Sequence, residues 1–178
     1  MMEQKLKQIK SIVYDFDGVL TDGCIIPIGP NPEDLVRIVD AKDSFASRAA
    51  ALKGMIMGVI SGGDTPAIFS RCQHMGVKPE NINLGCRGKL AVFHRFCEQH
   101  SLKPEEVAYF GDDIPDIQVL KACGVGFAPS DAVDEAKEAA DIVTKKPGGH
   151  GCLREGIETI LKAQGKWVFD EDKFHQIY

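Results

Sequence analysis

Short apolar runs alternate with helical segments along this chain, and the alternation restricts the possible folds more than any other feature of the sequence. The runs SIVYDF, MIMGVIS, VAYFGDD and VGFAP favour strands because they are rich in β-branched and aromatic residues. The segments between them carry capping residues or apolar residues at helical spacing, as in Lys89–His100. Strands joined through helices pair in parallel, so the pattern predicts an α/β fold: a doubly wound, Rossmann-like parallel sheet with helices on both faces.

Local chemistry predicts where several of these elements begin and end. The first strand is expected over Ser11–Phe16. The first long helix is expected to take Asp43 or Ser44 as its N-cap and to run to about Lys53. A final helix is expected over Gly151–Gln164.

The length of the chain suits one domain. We expect a single domain over residues 1–178, with a β-hairpin insertion at about 24–40 after the first strand and a C-terminal tail at about 165–178. The sequence GPNP, which ends at Pro32, is expected to form the turn of the hairpin. The intervals from Asp17 to Ser61 and from Ser61 to Lys89 are too short to hold an inserted cap domain.

Composition excludes several classes of function. A net charge of −5 argues against a general nucleic-acid partner. No apolar run approaches the ~20 residues of a membrane span. The cysteines form no C-x-x-C pair, which disfavours zinc, and their irregular spacing favours reduced thiols in the cytoplasm. They are Cys24, Cys72, Cys86, Cys97, Cys123 and Cys152.

Acidic residues collect where two of the predicted strands end. Asp15 and Asp17 are two positions apart, so on a strand both carboxylates would point to the same face. Asp112 and Asp113 follow a later strand. The carboxyl ends of parallel strands meet at one edge of the sheet, where such folds bind ligands. Clustered carboxylates without a His or Cys ligand favour Mg²⁺, which commonly also binds a substrate phosphate.

Groups that can bind a phosphate follow other elements. Ser61 ends the second strand and offers a hydroxyl, and Gly62 and Gly63 leave backbone N–H groups open at an expected helix N-terminus. Lys89 begins a later helix and can supply a positive charge. Phosphoryl transfer needs at least four components. They are a nucleophile, a proton donor, a metal site and a positive charge that holds the phosphoryl oxygens.

These motifs, taken in order, resemble the haloacid dehalogenase superfamily of phosphohydrolases. The order is D-x-D-G-V-x-[ST]-D-G, then S-G-G, a lone Lys, and G-D-D-x-x-D, and the match runs from about Ile12 to Trp167. More narrowly, DFDGVLTDG, GDDIPD and GGHGCLREGIETILKAQGKW resemble the capless family that acts on 3-deoxy-D-manno-octulosonate 8-phosphate (KDO 8-phosphate). This resemblance implies hydrolysis to KDO and phosphate on the route to lipopolysaccharide. It also implies a homotetramer in which the hairpin of one subunit caps the neighbour's site.

The resemblance implies a role for each catalytic residue. Asp15 would be the nucleophile that forms an aspartyl-phosphate. Asp17 would protonate the leaving alcohol and then activate water. Ser61 and Lys89 would complete the catalytic set by holding the phosphoryl oxygens.

The resemblance implies the metal ligands as well. Mg²⁺ would bind the carboxylates of Asp15 and Asp112 and the backbone carbonyl of Asp17. Asp113 would lie behind these ligands, and Asp116 would support their loop.

The same resemblance implies a set of substrate-binding residues and leaves the sugar open. Together with Gly62 and Gly63, which are expected to bind phosphate through their backbone N–H groups, the set is Asp17, Asp40, Arg48, Arg71, Lys89 and His150. Gly63 stands where many family members have Arg. His150 stands where many have Arg in a G-G-R-G turn, whereas phosphatases of nine-carbon sugar acids tend to have Glu there. A nonulosonate 9-phosphate is therefore the alternative substrate.

Two functions outside phosphate-ester hydrolysis also fit parts of the pattern. A receiver-type signalling domain uses clustered aspartates with Ser or Thr and Lys, but its phosphorylated Asp follows a later strand. A non-catalytic domain related to those of acylneuraminate cytidylyltransferases would not need the intact set of acids. The order of the motifs therefore favours an enzyme.

Overall fold

A six-stranded parallel sheet with helices on both faces forms the centre of the molecule. The computed structural model describes residues 1–31 and 33–176, so Pro32 of the predicted hairpin turn and the last two residues of the predicted tail lie outside the described residues. The strands are β1 (Ser11–Tyr14), β2 (Ile26–Pro27), β3 (Leu35–Val36), β4 (Ile56–Ile60), β5 (Ile82–Asn83), β6 (Val107–Phe110), β7 (Val125–Ala128) and β8 (Ile142–Val143). The sheet has the order β5-β4-β1-β6-β7-β8 with every pair parallel, which confirms the predicted fold class.

Among the described residues, seven α-helices connect or flank the strands. They are α1 (Met2–Gln8), α2 (Ala41–Leu52), α3 (Pro66–His74), α4 (Lys89–Gln99), α5 (Ile117–Ala122), α6 (Asp134–Ala139) and α7 (Cys152–Ala163). Short 3₁₀ helices lie at Pro79–Asn81, Pro104–Glu106, Ile114–Asp116 and Glu171–Gln176. Within the described residues, no helix is both long enough and apolar enough to cross a membrane.

The hydrophobic core has one cluster on each face of the sheet. On β1, Ile12 and Tyr14 belong to the cluster with residues of α1, α2, α3 and α7, whereas Val13 belongs to the cluster with α4, α5 and α6. This is the alternation expected of a strand that is covered on both sides. The central strands are therefore packed on both faces, and their carboxyl ends meet at one edge of the sheet.

Two predicted element boundaries are wrong. The first strand ends at Tyr14 rather than Phe16, although the N–H of Asp15 still donates to the carbonyl of Phe110 (3.0 Å). Helix α2 begins before Asp43, because the carboxylate of Asp40 is the N-cap and accepts from the N–H of Lys42 (2.6 Å). Asp43 is instead a buried residue of the first turn.

The predicted hairpin insertion after the first strand is present and short. Strands β2 and β3 are antiparallel and pair only over Ile26 with Val36 and Pro27 with Leu35. Its apolar side chains are largely exposed: the exposed fraction is 50% for Ile26 and 68% for Ile28. A surface of this kind is typical of a contact with another molecule.

A turn before α7 packs against the loop that follows β1 through backbone alone. The N–H of Gly149 donates to the carbonyl of Val19 (2.9 Å). A Cβ on Gly148 would lie 2.8 Å from the carbonyl carbon of Gly18, and one on Gly149 would lie 2.5 Å from the nitrogen of Asp22. Only glycine fits at these two positions, because the obstructing atoms are backbone and cannot rotate away.

Candidate active site

The polar residues that follow β1, β4 and β6 surround one cleft of 360 Å³ at the carboxyl edge of the sheet. Nine of the residues predicted from the sequence line this cleft. They are Asp15, Asp17, Ser61, Gly62, Gly63, Lys89, Asp112, Asp113 and Asp116. The sheet topology thus brings together segments that are far apart in the chain, as the strand-end argument predicted.

Asp15 is a buried carboxylate held in one orientation. Its Oδ1 atom accepts from the N–H of Phe16 (2.6 Å), and its Oδ2 atom accepts from Nζ of Lys89 (2.5 Å). Burial raises the pKa of Asp15 to about 6, although the charge of Lys89 opposes that effect. The side chain remains 11% exposed, on the side that faces the cleft.

Lys89 connects Asp15 to a second buried carboxylate. Its Nζ atom lies 2.7 Å from Oδ1 of Asp116, which also accepts from the hydroxyl of Tyr109 (2.5 Å). Burial disfavours the charge of Lys89, but attraction to Asp15 and Asp116 outweighs burial and raises its pKa. The lysine is therefore charged and fixed beside the carboxylate that the sequence predicts as nucleophile.

Every acceptor position of Asp116 is used. Besides the two donors on Oδ1, its Oδ2 atom accepts from the N–H groups of Asp112 (3.2 Å) and Asp113 (3.3 Å). A carboxylate with four donors has no lone pair left for a cation. Asp116 therefore supports the loop after β6, which is the role implied by the family resemblance.

Asp112, in contrast, has a carboxylate oxygen that accepts no hydrogen bond from the described residues. Its Oδ1 atom is buried and has no hydrogen-bond partner among the described residues. Burial, together with the nearby charges of Asp15 and Asp116, raises the pKa of Asp112 to about 7. Gly18 makes room for this carboxyl group, because a Cβ at Gly18, which has a φ of +86°, would overlap it.

These carboxylates fit a hard cation. Oxygen atoms of Asp15, Asp112 and Asp116 lie within 4.8 Å of one another. Because Asp116 is saturated, the free acceptors belong to Asp15 and Asp112. An unsatisfied buried oxygen beside a second carboxylate is the donor chemistry that Mg²⁺ requires.

Asp17 is held by a residue that the sequence analysis missed. Nε of Arg37, at the end of the hairpin, donates to Oδ1 of Asp17 (2.8 Å), and the hydroxyl of Thr21 lies 3.4 Å from the same oxygen. The sequence LVRIVD offered a weak signal, since it places a charged residue inside an otherwise apolar run.

Ser61 is buried at the end of β4, and its Oγ atom accepts from the N–H of Gly63 (3.1 Å). Helix α3 begins only at Pro66, so Gly62 and Gly63 belong to the preceding loop and not to the helix N-terminus. A Cβ at Gly63 would lie 3.3 Å from Oδ2 of Asp17 and 3.5 Å from Oγ of Ser61. The same Cβ would lie 2.7 Å from Cδ1 of Ile68, so the backbone of Gly63 packs closely against Ile68 and these two oxygens.

The other residues predicted to bind substrate lie outside this cleft. Asp40 caps α2, and Nη1 of Arg48 lies 3.4 Å from the carbonyl of His74. Arg71 donates to Oγ of Ser44 and lines a neighbouring cleft of 350 Å³ together with Arg37. His150 lines a separate cleft of 450 Å³.

Comparisons with known proteins agree on one family. The family model for haloacid dehalogenase-like hydrolases matches residues 81–155. The 3-deoxy-D-manno-octulosonate 8-phosphate phosphatase KdsC of Escherichia coli (strain K12) is 34% identical over 173 residues, which cover 97% of this chain and 89% of that protein.

Two solved structures of the same kind of phosphatase have a very similar fold. The Moraxella catarrhalis enzyme, in complex with magnesium ion, phosphate ion and KDO, has a TM-score of 0.88 at 28% identity, and 98% of this chain and 96% of that one are covered. The cobalt-bound Haemophilus influenzae enzyme has a TM-score of 0.86 at 33% identity, with 96% and 98% covered.

Proposed function

The chain belongs to the haloacid dehalogenase-like hydrolases and, within them, to the family of KDO 8-phosphate phosphatases, and we propose that it hydrolyses KDO 8-phosphate to KDO and inorganic phosphate. The observation that carries this proposal is the pairing of Asp15 with Lys89 beside the unsatisfied oxygen of Asp112 in one cleft. That arrangement supplies a nucleophile, a fixed positive charge and a cation site within a few ångströms.

The chemistry follows from the positions of these side chains. A carboxylate oxygen of Asp15 attacks phosphorus, the bond to the sugar oxygen breaks, and Asp17 gives its proton to that oxygen. Asp17 then takes a proton from water as the water attacks the aspartyl-phosphate, which releases phosphate and restores Asp15. Lys89 and Ser61 hold the phosphoryl oxygens during both steps.

Mg²⁺ would bind the carboxylates of Asp15 and Asp112 and the backbone carbonyl of Asp17. When bound, it neutralises negative charge on the phosphoryl oxygens and thereby allows one anion to attack another. Asp116 keeps Lys89 and the backbone after β6 in place. Asp113 fixes the following 3₁₀ turn, since its Oδ1 atom accepts from the N–H of Ile114 (2.7 Å).

Binding of Mg²⁺ should release protons below neutral pH. The pKa of Asp112 is raised to about 7, so the cation must displace a proton from more of the molecules as the pH falls. We expect the affinity for Mg²⁺ to weaken about tenfold between pH 7 and 6, and more steeply below that, because the pKa of Asp15 is raised to about 6 and this second ligand then also binds a proton. Titration calorimetry in two buffers of different ionisation enthalpy counts the protons, and an affinity independent of pH would contradict this site.

The substrate is tested by a panel of phosphate esters assayed with Mg²⁺. It contains KDO 8-phosphate, a nonulosonate 9-phosphate, glucose 6-phosphate and 4-nitrophenyl phosphate. We expect the highest kcat/KM for KDO 8-phosphate. A higher value for the nine-carbon ester would reassign the sugar.

We also infer a homotetramer in which the hairpin of one subunit covers the site of its neighbour, in the cytoplasm. Within the part of the chain that the structure describes, no separate domain covers the cleft, and a phosphate site open to water is poorly suited to selective catalysis. The hairpin presents exposed Ile25, Ile26, Ile28 and Ile38. All six cysteines are free thiols, which supports a reducing compartment. Asp40, Arg48, Arg71 and His150 are proposed to contact the sugar acid in the assembled enzyme.

Deletion of Ile25–Leu35 should reduce the size of the oligomer. It should also raise KM for KDO 8-phosphate far more than KM for 4-nitrophenyl phosphate, because only the larger substrate would contact the hairpin. Light scattering and kinetics on the same sample measure both effects. The point variant Ile28→Ser, which keeps the rest of the hairpin, is the matched control for backbone disturbance. A monomeric deletion variant with unchanged KM for the sugar phosphate would refute a borrowed cap.

A further inference from the structure

The contact between Arg37 and Asp17 joins the hairpin to the catalytic loop within one chain. Nε of Arg37 lies 2.8 Å from Oδ1 of Asp17, and the arginine side chain is only 11% exposed. An arginine withdrawn from water in this way has lost much of its hydration, so its pairing is a specific contact and not a loose surface ion pair. The proposed mechanism does not use this residue.

We propose that Arg37 is the positioning residue for the acid–base carboxyl of Asp17, an inference that rests on the proposed function. Arg37 occupies Oδ1, and this oxygen stays an acceptor whether the carboxyl is protonated or ionised. Oδ2 is thereby left as the oxygen that carries the proton. It lies 3.3 Å from the position that a Cβ of Gly63 would take, and Asp17, Ser61 and Gly63 all line the cleft in which a phosphate ester would bind.

Asp17 depends on this contact because its other support is weak. Asp17 follows the end of β1 and precedes Gly18, which has a φ of +86°. The other side-chain partner of its carboxyl among the described residues is the hydroxyl of Thr21, at 3.4 Å. Without Arg37 the carboxyl could turn toward solvent, since its side chain is already 25% exposed.

Arg37 also stabilises the product of proton donation. When Asp17 gives up its proton it becomes a carboxylate, and the guanidinium on Oδ1 is already oriented toward that new charge. The benefit is largest when the leaving oxygen is strongly basic and needs a full proton. It is small for a nitrophenolate, which leaves without one.

This difference provides the test. We would measure kcat/KM of wild type and Arg37→Ala on 4-nitrophenyl, phenyl and benzyl phosphate, three esters of similar size whose leaving oxygens are increasingly basic. The value of kcat/KM depends only on the steps up to departure of the leaving group. Later hydrolysis of the aspartyl-phosphate therefore does not affect it. We expect a loss of less than about threefold on the nitrophenyl ester, rising to about 10²-fold on the benzyl ester.

Two further variants distinguish a role of Arg37 in positioning Asp17 from a role of Arg37 in folding. Arg37→Lys keeps a positive charge and should recover part of the benzyl phosphate activity. Arg95→Ala removes an arginine on α4, outside the cleft, and should leave all three esters unaffected. Thermal unfolding of each variant reports on its fold.

Each outcome bears on the proposal. An equal loss on all three esters would overturn the role of Arg37 and leave the proposed function standing. A wild-type enzyme that hydrolyses the nitrophenyl ester but not the benzyl ester would also overturn it, because no acid would then be acting. Activity on all three esters without activity on KDO 8-phosphate would refute the proposed substrate. The comparison of wild type with Arg37→Ala on the three esters would still test the role of Arg37.

Discussion

Replacing Asp15 by asparagine should lower kcat by at least ~10³-fold, on the order expected when a covalent route is lost. The amide has nearly the same shape but lacks the negative charge that attacks phosphorus. Lys89 would still be held by Asp116 at 2.7 Å, so the positive charge should stay in place and the loss should reflect the missing nucleophile. Steady-state kinetics on KDO 8-phosphate, or on any ester that the wild type hydrolyses, measures the effect.

The control for this variant is an aspartate of the same chemistry far from the cleft. Asp134→Asn changes an exposed residue at the start of α6, whose Oδ1 atom lies 3.6 Å from Nζ of Lys137, and should keep full activity. Trapping of ³²P-labelled protein from a labelled substrate would show the aspartyl-phosphate in wild type and not in Asp15→Asn. An Asp15→Asn enzyme that keeps a tenth of wild-type turnover would exclude Asp15 as the nucleophile.

Removal of the metal should have an effect of similar size. EDTA should silence the wild-type enzyme, and an excess of Mg²⁺ should restore it. Asp112→Ala removes the carboxyl that offers the unsatisfied oxygen, so we expect activity to fall by at least ~10²-fold and the Mg²⁺ requirement to rise. Activity as a function of Mg²⁺ concentration, with wild type and Asp134→Ala in parallel, measures both.

Loss of the Asp112 carboxyl also removes a repulsive charge, and this gives a second readout. Asp15 and Asp116 each contribute to the raised pKa of Asp112, so the three carboxyls repel one another. Without Mg²⁺ the variant should therefore unfold at a temperature equal to or above that of wild type, and it should gain less stability when Mg²⁺ is added. Full activity of the wild type in the presence of chelator would rule out the cation site.

The sequence was sufficient to predict features that depend on local patterns. Parallel strands connected by helices align their carboxyl ends by geometry, so the strand-end positions of Asp15, Ser61 and Asp112 predicted one site without knowledge of the strand order. Residue type then indicated the chemistry, since several carboxylates next to a lysine and a glycine loop suit a cation and a phosphate.

Contacts across the chain could not be predicted in the same way. Arg37 and Asp17 meet because the hairpin folds back over the loop, and no local pattern encodes that approach. Tyr109 reads as an ordinary buried strand residue, yet its hydroxyl supports Asp116. The start of α2 was placed wrongly because Asp40 and Asp43 are both good caps, and burial of Asp43 against α7 decided between them. There Asp43 accepts from the N–H groups of Gly151 (3.0 Å) and Arg154 (2.7 Å).

The glycine turn before α7 restricts how the sequence of this protein can evolve. Gly148 and Gly149 touch the backbone at Gly18 and Asp22, so two segments more than 120 positions apart in the chain share one surface without side chains between them. A mutation that adds a side chain on either segment would push the catalytic loop away from α7. An insertion in the loop would likewise be tolerated only with a matching change in the turn. We therefore expect new substrate ranges to arise through the hairpin, while these two segments change only together.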